Sequence, residues 1–296
     1  MWFRKRDRLH PEAATNVKAS LDSSAPRGAE VQPLSSFLVN DVPRPRTPNA
    51  LLDAPNLSLD LRLRNQLAAK FEPDWSRLAR NFVINPGAAS DISSTYNLVR
   101  MRLLKSLKKN CWSTVAVTSP TRGSGNTLTA INLAMSIVKG LSHSVLLVEL
   151  DLVSPSFDRI LGFEKFPGMA DYLLNGAGLS DIVLDIGVDG LAIIPAGRVA
   201  NSLELLSSPK MARFVGELKQ LNAHEVVLFD LPSVLAFDDA IAFSPLVDCA
   251  LLVVEEGATK VSEVRRALTR LEDTEILGVV LNRSIRGDDE IGNASR

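Results

Sequence analysis

The 296-residue sequence is short of cysteine, histidine, net charge and long apolar runs, and each shortage removes a class of function. Its two cysteines, Cys111 and Cys249, have hydrophobic or aromatic neighbours, which fits buried thiols in a reducing compartment and excludes a disulfide scaffold. His10, His143 and His224 are scattered with no partner at ligand spacing, so no histidine metal centre is expected. Thirty-three basic against 34 acidic residues leave a formal charge of -1, and no overall field draws the chain to nucleic acid or anionic lipid. The small clusters Lys105, Lys108, Lys109 and Arg265, Arg266, Arg270 come without an aromatic platform and read as solvated helix faces; no nucleic-acid partner is expected. No apolar stretch approaches the roughly 18 residues that span a bilayer. The basic start, Arg4 Lys5 Arg6 Asp7 Arg8, is followed by no apolar run of a secretory leader. A cytoplasmic chain is expected.

What is present divides near residue 90. The first 90 residues hold nine of the 16 prolines, two of the 17 glycines, and 13 basic against 9 acidic residues; the remainder has 20 basic against 25 acidic. Residues 1–55, with Pro43 Arg44 Pro45 Arg46 Thr47 Pro48, bury too little apolar surface to offset chain entropy and are expected to be a disordered basic, Pro-rich arm. Over 56–92, Leu59, Leu63, Leu67 and Phe71 recur at helical spacing before Pro73, which predicts a short amphipathic helix and a linker. From 93 to 284 helices alternate with strands. A helix over 95–109 leads to the strand 114–118, a Gly-rich turn and a helix over 127–140. Further strands are expected at 145–149, 191–195, 226–230, 249–254 and 277–282. Strands apolar throughout belong to a sheet buried on both faces, so the fold class is α/β, a doubly wound and mostly parallel sheet. Residues 285–296 read as a flexible tail.

Three places carry chemistry. Ser119 Pro120 Thr121 Arg122 Gly123 Ser124 Gly125 Asn126 Thr127 lies between the first strand and its helix. Its glycines let backbone N–H groups converge on a phosphate at a helix amino end, and Thr127 is placed to ligate Mg2+. The lysine that would reach the β and γ phosphates is Asn126. Arg122 is either an outward side chain in water or a substitute cation. The next strand ends in Glu149 Leu150 Asp151, carboxylates on alternate positions that either hold Mg2+ and orient a nucleophile or merely cap neighbouring helices. Asp230 ends another apolar run, where a carboxylate is costly without a function or partner, and it reads as an outer Mg2+ carboxylate.

Together these residues resemble the cytoplasmic domain of the bacterial tyrosine kinases (BY-kinases) of capsule and exopolysaccharide biosynthesis, within the MinD/ParA-type deviant P-loop ATPases. Thr118 Ser119 Pro120 Thr121 Arg122 Gly123 Ser124 Gly125 Asn126 Thr127, continuing as Ala130 Ile131 Asn132 Leu133 Ala134, is similar to the family loop. Leu146 Leu147 Val148 Glu149 Leu150 Asp151 Leu152 Val153 Ser154 Pro155 is similar to its second aspartate motif. Pro167 Gly168 Met169 Ala170 Asp171, Ile194 Pro195 Ala196 Gly197, Phe229 Asp230 Leu231 Pro232 Ser233 with Asp239 Ala240, and Gly278 Val279 Val280 Leu281 Asn282 follow in family order. The resemblance implies a P-loop NTPase that takes ATP or ADP with Mg2+. It assigns nucleotide contact to Gly123, Ser124, Gly125, Asn126, Thr127, Leu128, Asn282 and Arg283. It assigns catalysis to Glu149, Asp151 and Asp230, and the metal to Thr127, Asp151 and Asp230.

The departures fall on those same places. Asn126 replaces lysine, Glu149 replaces aspartate and Val153 replaces arginine. Ser94, Asn97 and Arg100 stand where the family has the Glu-x-x-Arg-x-x-Arg of its self-association helix, and 284–296 holds no tyrosine. The expectation is a degenerate member with weak or no ATP turnover. It would regulate polysaccharide polymerisation or export by contact with a membrane-anchored co-polymerase, chain-length regulator or exporter, as a homo- or hetero-oligomer at the inner face of the plasma membrane. The alternatives are an active ATP-dependent protein-tyrosine kinase and a MinD/ParA-like partitioning ATPase, although Thr121 stands where the latter has a lysine.

Overall fold

The computed structural model describes residues 3–4, 69–88, 91–140, 142–199, 201–220 and 225–284. The long apolar strands of the sequence form the centre of a sheet. They are β3 (Thr114–Thr118), β4 (Ser144–Glu149), β6 (Leu191–Ile194), β7 (Glu225–Asp230), β8 (Cys249–Glu255) and β9 (Ile276–Asn282). They run parallel in the order β9-β8-β3-β7-β4-β6. Successive side chains of a strand point to opposite faces, and both faces are buried. Val115 and Val117 enter one core with Val145, Leu147 and Leu228, while Ala116 enters the other with Leu146, Val148 and Phe229. Two separate cores are what a doubly wound sheet requires.

Helix α2 (Asp91–Asn110) packs on α3 (Asn126–Val138) over the first face through Tyr96, Val99, Leu103 and Leu107. Helix α8 (Pro209–Leu218) covers the second with Met211, Phe214 and Leu218. Asp248 fixes where β3 begins by accepting from the Ser113 N–H (2.9 Å) and from the N–H and hydroxyl of Thr114 (3.0 and 2.8 Å). Burial opposes the Asp248 charge, but these bonds and Lys219 at 3.0 Å outweigh it and hold the carboxyl below its ordinary range.

The sheet edges differ from the expectations. Ala69–Lys70 (β2) pairs parallel with β5 (Leu184–Asp185), itself antiparallel to β6, and the Phe71 N–H donates to the Asp185 carbonyl at 2.8 Å. The end of the expected helix is therefore extended, because the open edge of β5 offers backbone partners and Phe71 packs edge-on against Phe163 at 6.0 Å. The Leu59, Leu63 and Leu67 part of that helix lies outside the described residues. The helix forms instead after Pro73, as α1 (Trp75–Arg80), where Asp74 caps it by accepting from the N–H groups of Ser76 and Arg77. Phe3–Arg4 (β1) pairs antiparallel with Val279 and Val280 of β9, so this much of the expected arm joins the sheet; the rest of the arm and the tail lie outside the described residues.

Candidate functional site

The carboxyl ends of β3, β4, β7 and β9 meet at a pocket of about 850 Å3. A parallel sheet places ligands there, beyond its strand ends at the change of strand order. The loop after β3 makes the floor. Gly123 and Gly125 have φ of +83° and +85°, a conformation that side chains rarely adopt. A Cβ on Gly123 would meet nothing within 4 Å, so its place is open cradle, whereas one on Gly125 would run into the Asn282 amide. Gly125 caps α3 without any side-chain hydrogen bond, and the helix begins at Asn126 with its amino end toward the pocket.

Of the expected residues, Gly123, Gly125, Asn126, Thr127, Leu128, Asp151, Asn282 and Arg283 line the pocket. Ser124 does not. Its side chain is buried and donates to the Thr121 carbonyl, and its own carbonyl accepts from Asn282 Nδ2 at 2.9 Å. Asn282 therefore braces the loop, while Arg283 pairs with Glu255 at 2.6 Å.

Asn126 is the central departure. Its Nδ2 donates to Asp230 Oδ1 at 3.0 Å and to the Leu231 carbonyl at 2.8 Å, which uses both amide hydrogens. The Ser119 hydroxyl lies 3.3 Å from its Oδ1. Asp230 is fully buried behind Asn126, and its Oδ2 has no hydrogen-bond partner. Burial raises the Asp230 carboxyl well above its ordinary range, with Glu149 and Asp151 adding repulsion against the relief given by Thr127 and Asn126. Burial likewise raises Asp151, which accepts from the Ser154 N–H at 2.8 Å and has the Arg122 charge nearby.

Of the two readings of Glu149, pocket carboxylate and helix cap, its contacts are those of the cap. It does not line the pocket. Its Oε1 accepts from the N–H groups of Ser156 and Phe157, and its Oε2 from the Ala196 N–H at 3.1 Å, so it ties the segment after β4 to the exit of β6. The extra methylene relative to aspartate lets it reach these backbone groups. Burial pushes its carboxyl up to about 7, against the pull of the three N–H donors. An acid whose folded value exceeds its unfolded 4.5 binds more protons when folded, so its contribution to stability falls as pH rises from 4.5 toward 7. That fall is roughly 3 kcal/mol. Urea unfolding of the parent and of Glu149→Gln at pH 5 and 7.5 checks this: the variant is expected to lose less stability across that interval. An equal loss in both chains excludes Glu149 as the source.

The spacing did not reveal the wall opposite the loop. Asn132, in the middle of α3, accepts from the Ile84 N–H at 2.8 Å and donates to the Phe82 carbonyl at 2.9 Å. This clamp holds Phe82 at φ 60°, 64 % exposed, on the pocket wall with Ile92 and Tyr96. A buried asparagine between the apolar Ile131 and Leu133 was the available signal, and it sat inside the motif at Ala130 to Ala134. Arg159 and Phe237 also line the pocket, and the Arg122 guanidinium lies 4.4 Å from the Phe237 ring centroid.

A polyphosphate with Mg2+ fits these residues. The open cradle at Gly123, the amino end of α3 and two unpartnered buried oxygens, Asp230 Oδ2 and Ser233 Oγ, all ask for polar ligands. Mg2+ takes a hydroxyl, one or two carboxylates and phosphate oxygens; Thr127 and Asp151 would offer theirs on the pocket wall, with Asp230 buried behind Asn126 as an outer carboxylate.

No protein-family model matches the chain. It is 26% identical over 197 residues to the putative tyrosine-protein kinase CapB of Staphylococcus aureus, covering 66% of this chain and 85% of that protein. It is 28% identical over 210 residues to the tyrosine-protein kinase YwqD of Bacillus subtilis, covering 70% and 87%. It is 29% identical over 216 residues to the succinoglycan biosynthesis transport protein ExoP of Rhizobium meliloti, covering 71% of this chain and 27% of that protein. Among solved structures, the VpsO kinase domain superposes with a TM-score of 0.57 at 28% identity, over 65% of this chain and 96% of that one. The chimerical protein CapA2B2 superposes with a TM-score of 0.62 at 23% identity, over 76% and 98%, a likeness of fold. Among the described residues, no helix is long and apolar enough to cross a membrane.

Proposed function

We propose, for a chain that is a homologue of bacterial tyrosine kinases with the fold of a P-loop NTPase, a kinase-like role with weak or no kinase turnover. The protein regulates capsule or exopolysaccharide polymerisation or export through contact with a membrane-anchored co-polymerase, chain-length regulator or exporter. That contact would hold it at the inner face of the membrane. The carrying observation is the Asn126 amide, whose two hydrogens are spent on Asp230 and Leu231 where phosphoryl transfer needs a free cation. Mg2+, when bound with a nucleotide, supplies further charge neutralisation, but Asn126 supplies none. The polysaccharide setting is supported by the likeness to a succinoglycan biosynthesis transport protein.

A contact role is also supported at α2. Arg100 donates to the Ser136 carbonyl at 2.7 Å, and Asn97 Oδ1 lies 3.4 Å from the Ser136 hydroxyl, so both side chains are turned to the chain's own α3. This speaks against a ring of identical chains held together through these two side chains.

The alternative, an active protein-tyrosine kinase, has one observation in its favour: Arg122 lines the pocket close enough to Asp151 for their charges to interact. ADP formation from Mg-ATP by the purified full chain, with and without a tyrosine-bearing peptide to accept the phosphoryl group, decides between the two. Weak or no ADP formation is expected. Turnover within the roughly 1 to 100 per second of working kinases would establish the alternative.

A further inference from the structure

The near-zero charge of the chain is unevenly distributed. Residues 92–148 hold seven of its 33 lysines and arginines and none of its 34 aspartates and glutamates. In the fold this stretch gives α2, β3, α3 and most of β4, and α3 carries no charged side chain at all. Five of the seven cations lie on the 20-residue α2, so a domain without an overall field has one basic face.

The two sides of α2 differ. Tyr96, Val99, Leu103 and Leu107 enter the first core, and Arg100 turns to α3 through the Ser136 carbonyl. The opposite side, followed at steps of three and four residues, is exposed: Leu98 (46%), Met101 (63%), Arg102, Lys105, Lys108 and Lys109. Among the described residues, no ion pair involves Lys105, Lys108 or Lys109. The sequence marked these lysines as a solvated face, and the structure sets two apolar side chains in the same stripe. From Leu98 to Lys109 the stripe runs about 17 Å along the helix. Apolar side chains one turn apart beside four cations form the pattern of a helix that lies at lipid headgroups.

We infer that the exposed face of α2 docks on an anionic lipid bilayer. Arg102, Lys105, Lys108 and Lys109 meet the headgroup phosphates, and Leu98 and Met101 enter the headgroup boundary. Charge complementarity alone would also admit a nucleic acid or an acidic peptide. A nucleic acid, however, offers Leu98 and Met101 nothing without an aromatic platform on which bases stack, and this face has none. A peptide calls for a groove or a strand edge, which a convex helix face lacks. The inference deepens the membrane placement proposed above by adding a contact that needs no protein partner.

Sedimentation of the full chain with phosphatidylcholine vesicles, made with and without phosphatidylglycerol, tests this. The chain is expected to sediment with the phosphatidylglycerol vesicles and to stay in solution with the neutral ones. The triple variant Lys105→Gln, Lys108→Gln, Lys109→Gln is expected to bind about a hundredfold more weakly, at the usual worth of a cation near an anionic surface. Met101→Ser is expected to weaken binding severalfold, whereas Arg265→Gln with Arg266→Gln, on the exposed face of the helix Val261–Arg270, is expected to leave it unchanged. No binding by the parent overturns the inference, and so does equal binding to neutral vesicles. Full binding by a folded triple variant, equal loss in the Arg265 and Arg266 variant, or capture by duplex DNA as tight as by the vesicles overturns the assignment to α2 and lipid. If the triple variant does not fold, the parent's preference between the two vesicles still decides. The vesicles contain no protein, so none of these outcomes touches the proposed role through a protein partner, nor the weak or absent turnover that ADP formation reads.

Discussion

Asn126→Lys is expected to hydrolyse Mg-ATP on the order of a hundred to a thousand times faster than the parent, the usual worth of one preorganised charged donor in the transition state. The substitution removes the amide that bridges Asp230 and the Leu231 carbonyl and places an ammonium beside a buried carboxyl whose Oδ2 lacks a partner. An ammonium there pairs with Asp230 and keeps hydrogens for a phosphate. Phosphate release at saturating Mg-ATP reads the gain. A folded variant as inert as the parent would show that the missing cation is not what limits this site, and Glu149 and Val153 would become the suspects.

Gly168→Ala is expected to cost about 3 kcal/mol, the upper end for overpacking a tight contact. Helix α5 (Met169–Asn175) docks its amino end on the exit of β6, with the Met169 N–H donating to the Pro195 carbonyl at 2.8 Å and the Ala170 N–H to the Ala196 carbonyl at 2.9 Å. A Cβ on Gly168 would collide with the Pro195 carbonyl oxygen and come within 2.7 Å of the Gly197 nitrogen, and backbone atoms cannot swing aside. The clash reaches the site as well, because Ala196 is the residue whose N–H holds Glu149. Gly176→Ala is the control. Its φ is +71° but a Cβ there meets nothing within 4 Å, so only the backbone penalty of about 1 kcal/mol applies. Urea midpoints at unchanged slope separate the two, and equal losses would mean that the α5 contact with β6 is looser than described.

The central strands were legible because burial on both faces leaves no polar position to blur the pattern, as in Val145 to Val148. The phosphate loop was legible because its glycines have a conformational reason to be there. The edges were not. Ala69–Lys70 is extended only because β5, far away in sequence, leaves an edge open, and no local periodicity encodes that. Glu149 read as catalytic because a strand-end carboxylate looks the same whether it faces the pocket or turns to Ser156, Phe157 and Ala196. The choice depends on loops that converge from 47 positions away. Asn132 was readable as a buried amide, but that it clamps Phe82 from 50 residues upstream required the packing of α3 against that segment.

The central claim is that the Asn126 amide is tied to Asp230 and Leu231 and is therefore not offered to phosphate. Selective 15N labelling of asparagine side chains, with the Asn126 signal identified by its loss in Asn126→Lys, observes that amide directly. The account predicts two hydrogen-bonded amide protons that exchange slowly with water both before and after Mg-ATP is added. Fast exchange in the free protein, or exchange that becomes fast on adding Mg-ATP, would contradict it.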